Sequence, residues 1–334
     1  MFAANGCGFF VILYMQQMIT IFLALFLSVP GKCCLNIYGQ DVHGRHHVME
    51  HTLFIPGVFS ETDIKKNLAN LGEKLTGSKY NWQTVSDYGA YMIEAGLYAD
   101  GLALFRELFK RKPNEYTIIQ NLGTAFELNG MPDSALHYIK KGYALNPNSH
   151  NASEWLHVVY LEHKVLKHEI DFSKNMFLDT VVINQIINDG GGTRLHFMRL
   201  DDFFMQINYQ LRERIPFTSG KDDLLAKLLL ETGDLYAEKF SAARAHIFYL
   251  YARSFTSLPQ AKKIIEEKIN RVLAAAGRHE APAGQGADTR RSDNEYRYAL
   301  RRANSPAIKT PMNTEKWGLL TVNELVAKLT ENNE

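Results

Sequence analysis

Two stretches of this chain repeat each other at a fixed offset of 34 residues, YMIEAGLYADGLALFRELFKRKP ending at Pro113 and FELNGMPDSALHYIKKGYALNP ending at Pro147. At that offset Gly89 falls opposite Gly123, Tyr88 opposite Leu122, Met92 opposite Phe126, Gly96 opposite Gly130, Gly101 opposite Ala135 and Phe105 opposite Ile139. Small residues match small ones, and large apolar residues match large ones. A period of this size describes a helical hairpin, which cannot bury its apolar face alone and stacks on its neighbours. Gly89/Gly123 and Gly101/Ala135 then mark close helix approaches. Gly96 and Gly130 end the first helix of each hairpin, and the prolines close the second. The expected fold class is all-α, a helical-hairpin solenoid.

The remaining chain fits around these two units. Ser60 and Asp63 form a capping-box variant ahead of a helix with Ile64, Leu68, Leu71 and Leu75 on one face and Gly77 as its stop. A third first helix follows in register from His150, HNASEWLHVVYLEHKVL, with Leu156 and Tyr160 apolar and His157 where a glycine would stand. Its second helix is not recognisable. Residues 166–199, with Gly190, Gly191 and Gly192, read as an irregular insertion. Within 200–276, RLDDFFMQINYQLRERI places Leu200, Phe203, Phe204, Ile207 and Leu211 on one helical face. Gly233, Tyr236, Ala245, Tyr249 and Ala252 form a degenerate further copy of the repeat, and a helix with Ile264, Ile265, Ile269 and Val272 inward caps the array. Residues 277–316 read as a disordered linker. Residues 317–334 read as a short amphipathic helix opened by a Thr321/Glu324 capping box, its apolar residues Val322, Leu325, Val326 and Leu329 suited to docking back on the array.

The N-terminus addresses the compartment. Residues 9–30 carry no charge, and Ile19 to Val29 has the length of a signal-peptide core, although no basic residue precedes Lys32. Residues 1–31 therefore read as a signal peptide or as an uncleaved N-terminal anchor, followed by a polar irregular segment over 32–58. The three cysteines, Cys7, Cys33 and Cys34, leave the body without a disulfide framework or a CxxC site. A net charge of +1 excludes a bulk electrostatic attraction to nucleic acid.

Leu122, Gly123, Phe126, Gly130, Ala135 and Pro147 resemble the tetratricopeptide repeat, and the first unit departs from it at Gly101 and lacks the early Trp. At family level the second unit, the EWLH segment, QLRERIPF with GDLYA, and CLNIYG at Cys34–Gly39 resemble exported bacterial tetratricopeptide proteins with no assigned activity, over residues 33–275. The resemblance implies that the first helices of successive hairpins line a concave binding face. Carried over, those positions are Gln83, Ser86, Ala90, Ile93 and Glu94; then Thr117, Gln120, Thr124, Glu127 and Leu128; then Asn151, Glu154, Val158 and Glu162. The Lys/Asn set with which some relatives clamp a terminal carboxylate is missing. Acids at Glu94, Glu127, Glu154 and Glu162 suggest an extended partner bearing Lys or Arg.

Other chemistry is sparse. His43, His46, His47, Glu50 and His51 offer imidazoles, with His47 and His51 on one face if helical, but no spacing fixes a third ligand, and a solvated linker is the simpler reading. Glu154 and His157 lie three apart on a helix and read as a structural pair. The triple glycine lacks the lysine of a phosphate loop. Asn151-Ala152-Ser153 is a glycosylation sequon only in a eukaryotic source. No catalytic residue, metal-ligand set or cofactor is assigned. The expectation is a scaffold in the cell envelope that binds a protein or peptide on the concave face and touches membrane only through the leader. The alternatives are an envelope hydrolase or metal-handling protein using the insertion or the histidines, and a self-assembling structural protein.

Overall fold

A computed structural model describes residues 38–40, 46–48, 61–77, 80–178, 200–218, 220–239, 242–278 and 318–331. The leader, most of the histidine cluster, residues 179–199 with the triple glycine, and residues 279–317 lie outside the described residues, as do the expectations that fall on them. The regular structure of the described residues is helical apart from one small antiparallel ribbon. There β1 (Tyr38–Gln40) pairs with β2 (His46–Val48), Gly39 opposite His47. This corrects the expectation that 32–58 is wholly irregular, and it puts His47 on a strand, where it shares no helix face with His51.

The helices follow as α1 (Glu61–Thr76), α2 (Trp82–Glu94), α3 (Tyr98–Arg111), α4 (Tyr116–Leu128) and α5 (Pro132–Leu145). The first residues of α2 and α4, and of α3 and α5, are 34 apart, and so are their last residues. The repeated sequence thus makes repeated elements. The α2 start is fixed by Asn81, whose side chain accepts from the Thr84 amide at 3.1 Å. Both hairpin turns use a left-handed glycine, Gly96 at φ 82° and Gly130 at φ 72°, a conformation costly for a residue with a Cβ. Gly123 serves packing instead. A Cβ there would sit 2.7 Å from an Ile139 methyl, so α4 and α5 could not approach as they do.

After α5 the register slips. His150, Asn151 and Ala152 adopt left-handed backbone at φ 52°, 57° and 60°, and α6 runs only from Glu154 to Leu166. The expected helix start at His150 is replaced by this turn. Residues 167–178 form turns and bends, and α7 (Leu200–Arg214) then leads into a 3-10 turn (Ile215–Phe217). The helices α8 (Asp223–Lys239) and α9 (Ala242–Phe255) form the further hairpin, and α10 (Pro259–Arg278) packs on α9. Because α10 extends to Arg278, the expected linker cannot begin at residue 277. The last helix, α11 (Val322–Glu331), docks on α2 and α3. Its capping box is formed, with the Thr321 amide donating to Glu324 Oε2 at 2.7 Å and the Glu324 amide to Thr321 Oγ1 at 3.3 Å.

Two apolar cores result. The first gathers α1–α5 with Leu325 and Leu329 of α11, and the second gathers α7–α10 with Phe172 and Phe177. Helix α6 belongs to both. Val158 and Leu161 enter the first core, while Trp155, Leu156, Val159 and Tyr160 enter the second. Its polar residues Glu154 and His157 therefore lie at the seam between cores, away from solvent. Among the described residues no helix is long and apolar enough to cross a membrane.

Candidate functional site at the seam

The seam begins on α4, whose polar residues Thr117, Gln120, Asn121 and Thr124 recur at helical spacing and are all buried. Gln120 donates to Ser149 Oγ at 2.7 Å. The left-handed turn carries His150 back over the start of α6, where its ring meets Glu154 Oε1 and lies 5.5 Å from the Tyr209 ring of α7. From α7, Gln210 donates to Ser153 Oγ at 2.9 Å, and Gln206 accepts from Trp155 Nε1 at 2.7 Å. This helix comes from outside the repeats, and its polar edge fills the face that the repeats leave.

The expectation of an open concave groove is therefore corrected. Of the eight residues expected to bind there, Ser86, Gln120 and Glu154 are fully buried, and Thr124 and Glu94 nearly so. Glu127 keeps only 8% of its side chain exposed. Glu162 stays one-third exposed and pairs with Lys140 at 2.5 Å, and Gln83 is half-buried. For Gln120, Glu127 and Glu154 the physical reason is the packing of α7 and the 150–152 turn against α4 and α6. Glu127 and Glu162, two of the acids that suggested a basic partner, already hold cations of this chain, and Glu154 meets His150 and His157.

Glu127 is the hub. Its Oε1 accepts from Arg214 Nη1 at 2.7 Å and from Lys164 Nζ at 3.2 Å, and its Oε2 lies 2.8 Å from His157 Nε2. Burial works to raise its pKa, but Arg214, His157 and Lys164 outweigh burial and hold the carboxyl well below its ordinary range. Glu154 behaves alike. Burial opposes its ionisation, yet His150 and His157 keep it far below. For His157, burial disfavours the cation, while Glu127 and Glu154, whose Oε2 is 3.6 Å from Nδ1, raise its pKa. The pair expected from the spacing of Glu154 and His157 is thus the looser half of a bridge that runs on to Glu127.

Glu213 is the exception. It is fully buried, and burial pushes its pKa well above the carboxylate range despite Arg212 at 3.2 Å. Its Oε2 has no hydrogen-bond partner. Folding retains this proton where the unfolded chain would release it, so the associated stability is full below about pH 4.5 and is lost as pH rises towards the raised folded value. Glu213→Gln cannot ionise and escapes that loss. The expected result is a stability advantage over the parent that grows with pH above about 4.5, read by urea denaturation across the neutral range. A pH-independent difference would mean that Glu213 titrates as an ordinary carboxyl.

At the outer end of the network lies a cavity of about 180 Å³. Thr124, Glu127 and Leu128 of α4, His157 and Lys164 of α6, and Glu213 and Arg214 of α7 line it. Phe217, Thr218, Lys221 and Asp222 close the far side. The Arg214 guanidinium lies 3.7 Å from the Tyr160 ring centroid. Tyr160 donates to Asp222 Oδ2 at 3.0 Å, and Asp222 Oδ1 accepts the Leu225 amide at 2.9 Å, capping α8. The sequence-expected positions Thr124 and Glu127 reach this cavity. Gln83, Ser86, Glu94, Gln120, Glu154 and Glu162 do not line it. Glu213, Arg214, Lys221 and Asp222 were not signalled by the repeat. The available clue was the run Arg212-Glu213-Arg214 between the core residues Leu211 and Ile215, which puts adjacent charges on a buried helix end.

Among the described residues no group of three His, Cys, Asp or Glu side chains is arranged to hold a metal ion. No family model, curated protein or solved structure matches the chain.

Proposed function

We propose that the chain is a tetratricopeptide-like solenoid of the cell envelope that works by binding a protein or peptide partner. Helix boundaries recurring at 34 residues support the architecture, and the uncharged leader supports export. The observation that carries the binding reading is the seam cavity, where the polar face of α4 meets α6 and α7 and opens towards solvent. With α7 covering the rest of the concave face, a partner engages at this mouth. Photo-crosslinker placed at Lys221, compared with Leu273 on exposed α10, tests it in envelope extracts. A discrete adduct at Lys221 alone is expected, and equal labelling at both positions would remove the assignment.

A second reading, acid–base chemistry in the same cavity, draws on the opposite pKa shifts of Glu213 and Glu127 around His157. It requires that Glu213→Gln abolish turnover of a substrate while leaving adduct formation intact.

A further inference from the structure

We infer that the seam cavity receives the carboxylate of an acidic side chain from the partner, a step that rests on the binding reading above. Size is the first constraint. A cavity of about 180 Å³ holds the volume of roughly six waters and falls short of the ~300–1,000 Å³ of typical small-molecule sites. It fits one side chain.

Charge decides which side chain. The lining cations are Lys164, Arg214 and Lys221, and the lining acids that face them are Glu127 and Asp222. Glu213 is offset by the buried Arg212 at 3.2 Å, and the His157 ring is shared between Glu127 and Glu154. The balance is positive. The acids are also occupied, since Glu127 takes Arg214, Lys164 and His157, and Asp222 takes Tyr160 and the Leu225 amide. At Glu127 a basic side chain would have to compete with two cations already in place, Arg214 and Lys164. The cations retain capacity. Lys164 spends one donor on Glu127 and Lys221 spends one on Ser254 O at 2.6 Å, and an ammonium has three.

Glu213 lines the cavity from α7, with its Oε2 shielded from solvent and its Oε1 3.2 Å from Arg212 Nη2. An incoming carboxylate would accept the spare donors of Lys164 and Lys221 together, which neither an amide nor an ammonium can use as fully.

The test uses the full chain and the capped tripeptide acetyl-Ala-Glu-Ala-amide, with Gln and Lys in place of Glu as controls, followed by calorimetry or NMR titration. The capped ends restrict the charge to the side chain, and glutarate in a parallel titration reports whether a free small carboxylate suffices. The Glu peptide is expected to bind about tenfold or more tightly than either control. Lys164→Gln and Lys221→Gln should each weaken it about threefold or more, and both sites are solvent-accessible enough to be changed without unfolding. Equal binding of the Gln or Lys peptide, no effect of either lysine change, or a preference for glutarate over the peptide would overturn the inference. A failed peptide titration alongside a surviving Lys221 crosslink would remove the acidic specificity and leave the partner site standing. Loss of the crosslink with peptide binding intact would do the reverse.

Discussion

Replacing Glu231 by alanine is expected to destabilise the protein by about 3–5 kcal/mol and to release residues 171–178 from the second core. Glu231 sits on α8 with about 2% of its surface exposed, yet it serves three amides of a distant turn. Its Oε1 accepts from Met176 N at 2.6 Å, and its Oε2 accepts from Phe177 N and Leu178 N at 2.9 Å each. The same carboxylate lies 3.2 Å from the buried Lys227 ammonium one helical turn earlier. Removing it orphans three donors and leaves a cation in the interior, and each is costly without a partner. Hydrogen exchange separates this from a general loss of stability, because the amides of Met176, Phe177 and Leu178 should lose protection before those of α9. Glu231→Gln keeps acceptor capacity but not the charge and should fall between. Adding Lys227→Met to it should recover part of the loss by removing the unpaired ammonium. A Glu231→Ala protein within about 1 kcal/mol of the parent would show that the turn is held by other means.

Arg214→Ala is the second large effect, again about 3–5 kcal/mol. Arg214 and Glu127 keep only 9% and 8% of their side chains exposed, so solvent replaces little of what the pair loses. The guanidinium also covers the Tyr160 ring. Arg214→Lys restores the charge but not the planar stack and should recover only part. In a double-mutant cycle, Glu127→Gln in the Arg214→Ala background should cost less than Glu127→Gln alone, since the carboxylate has already lost its main partner. A readout specific to the network comes from His157. Arg214 lowers the pKa of that ring, so Arg214→Ala should raise it further in an NMR titration. Additive costs together with an unmoved His157 would mean that the two helices are not coupled through Glu127.

The repeat was legible because its signals are local. Gly96 and Gly130 mark turns, Gly123 marks a close approach, and the apolar spacing of Ile64, Leu68, Leu71 and Leu75 marks a buried stripe, and each of these works without reference to distant chain. The candidate site was not legible for the opposite reason. A polar residue on a helix reads the same whether it faces water or a second polar helix, so Gln120 and Glu154 looked like groove residues. Only the placement of α7, which no repeat pattern foretells, distinguishes the cases. The slip after α5 was hidden in another way. Asn151 tolerates left-handed backbone, but Ala152 gives no hint of it. Lys227 and Glu231 stand one turn apart in an apolar run, and nothing in that spacing reveals the amides that Glu231 holds.

The docking of α11 bears on the order in which the protein can be built. Tyr80 reaches Glu331 across 251 positions of sequence at 3.0 Å, and Arg111 donates to Leu329 O across 218 at 3.3 Å. Leu325 and Leu329 complete the apolar side of α2 and α3. The hairpin made first by the ribosome therefore keeps an unfinished surface until almost every later residue has emerged. The α4–α5 hairpin touches α11 less than α2 and α3 do. Folding during synthesis would thus begin from the middle of the helical array and close at its ends.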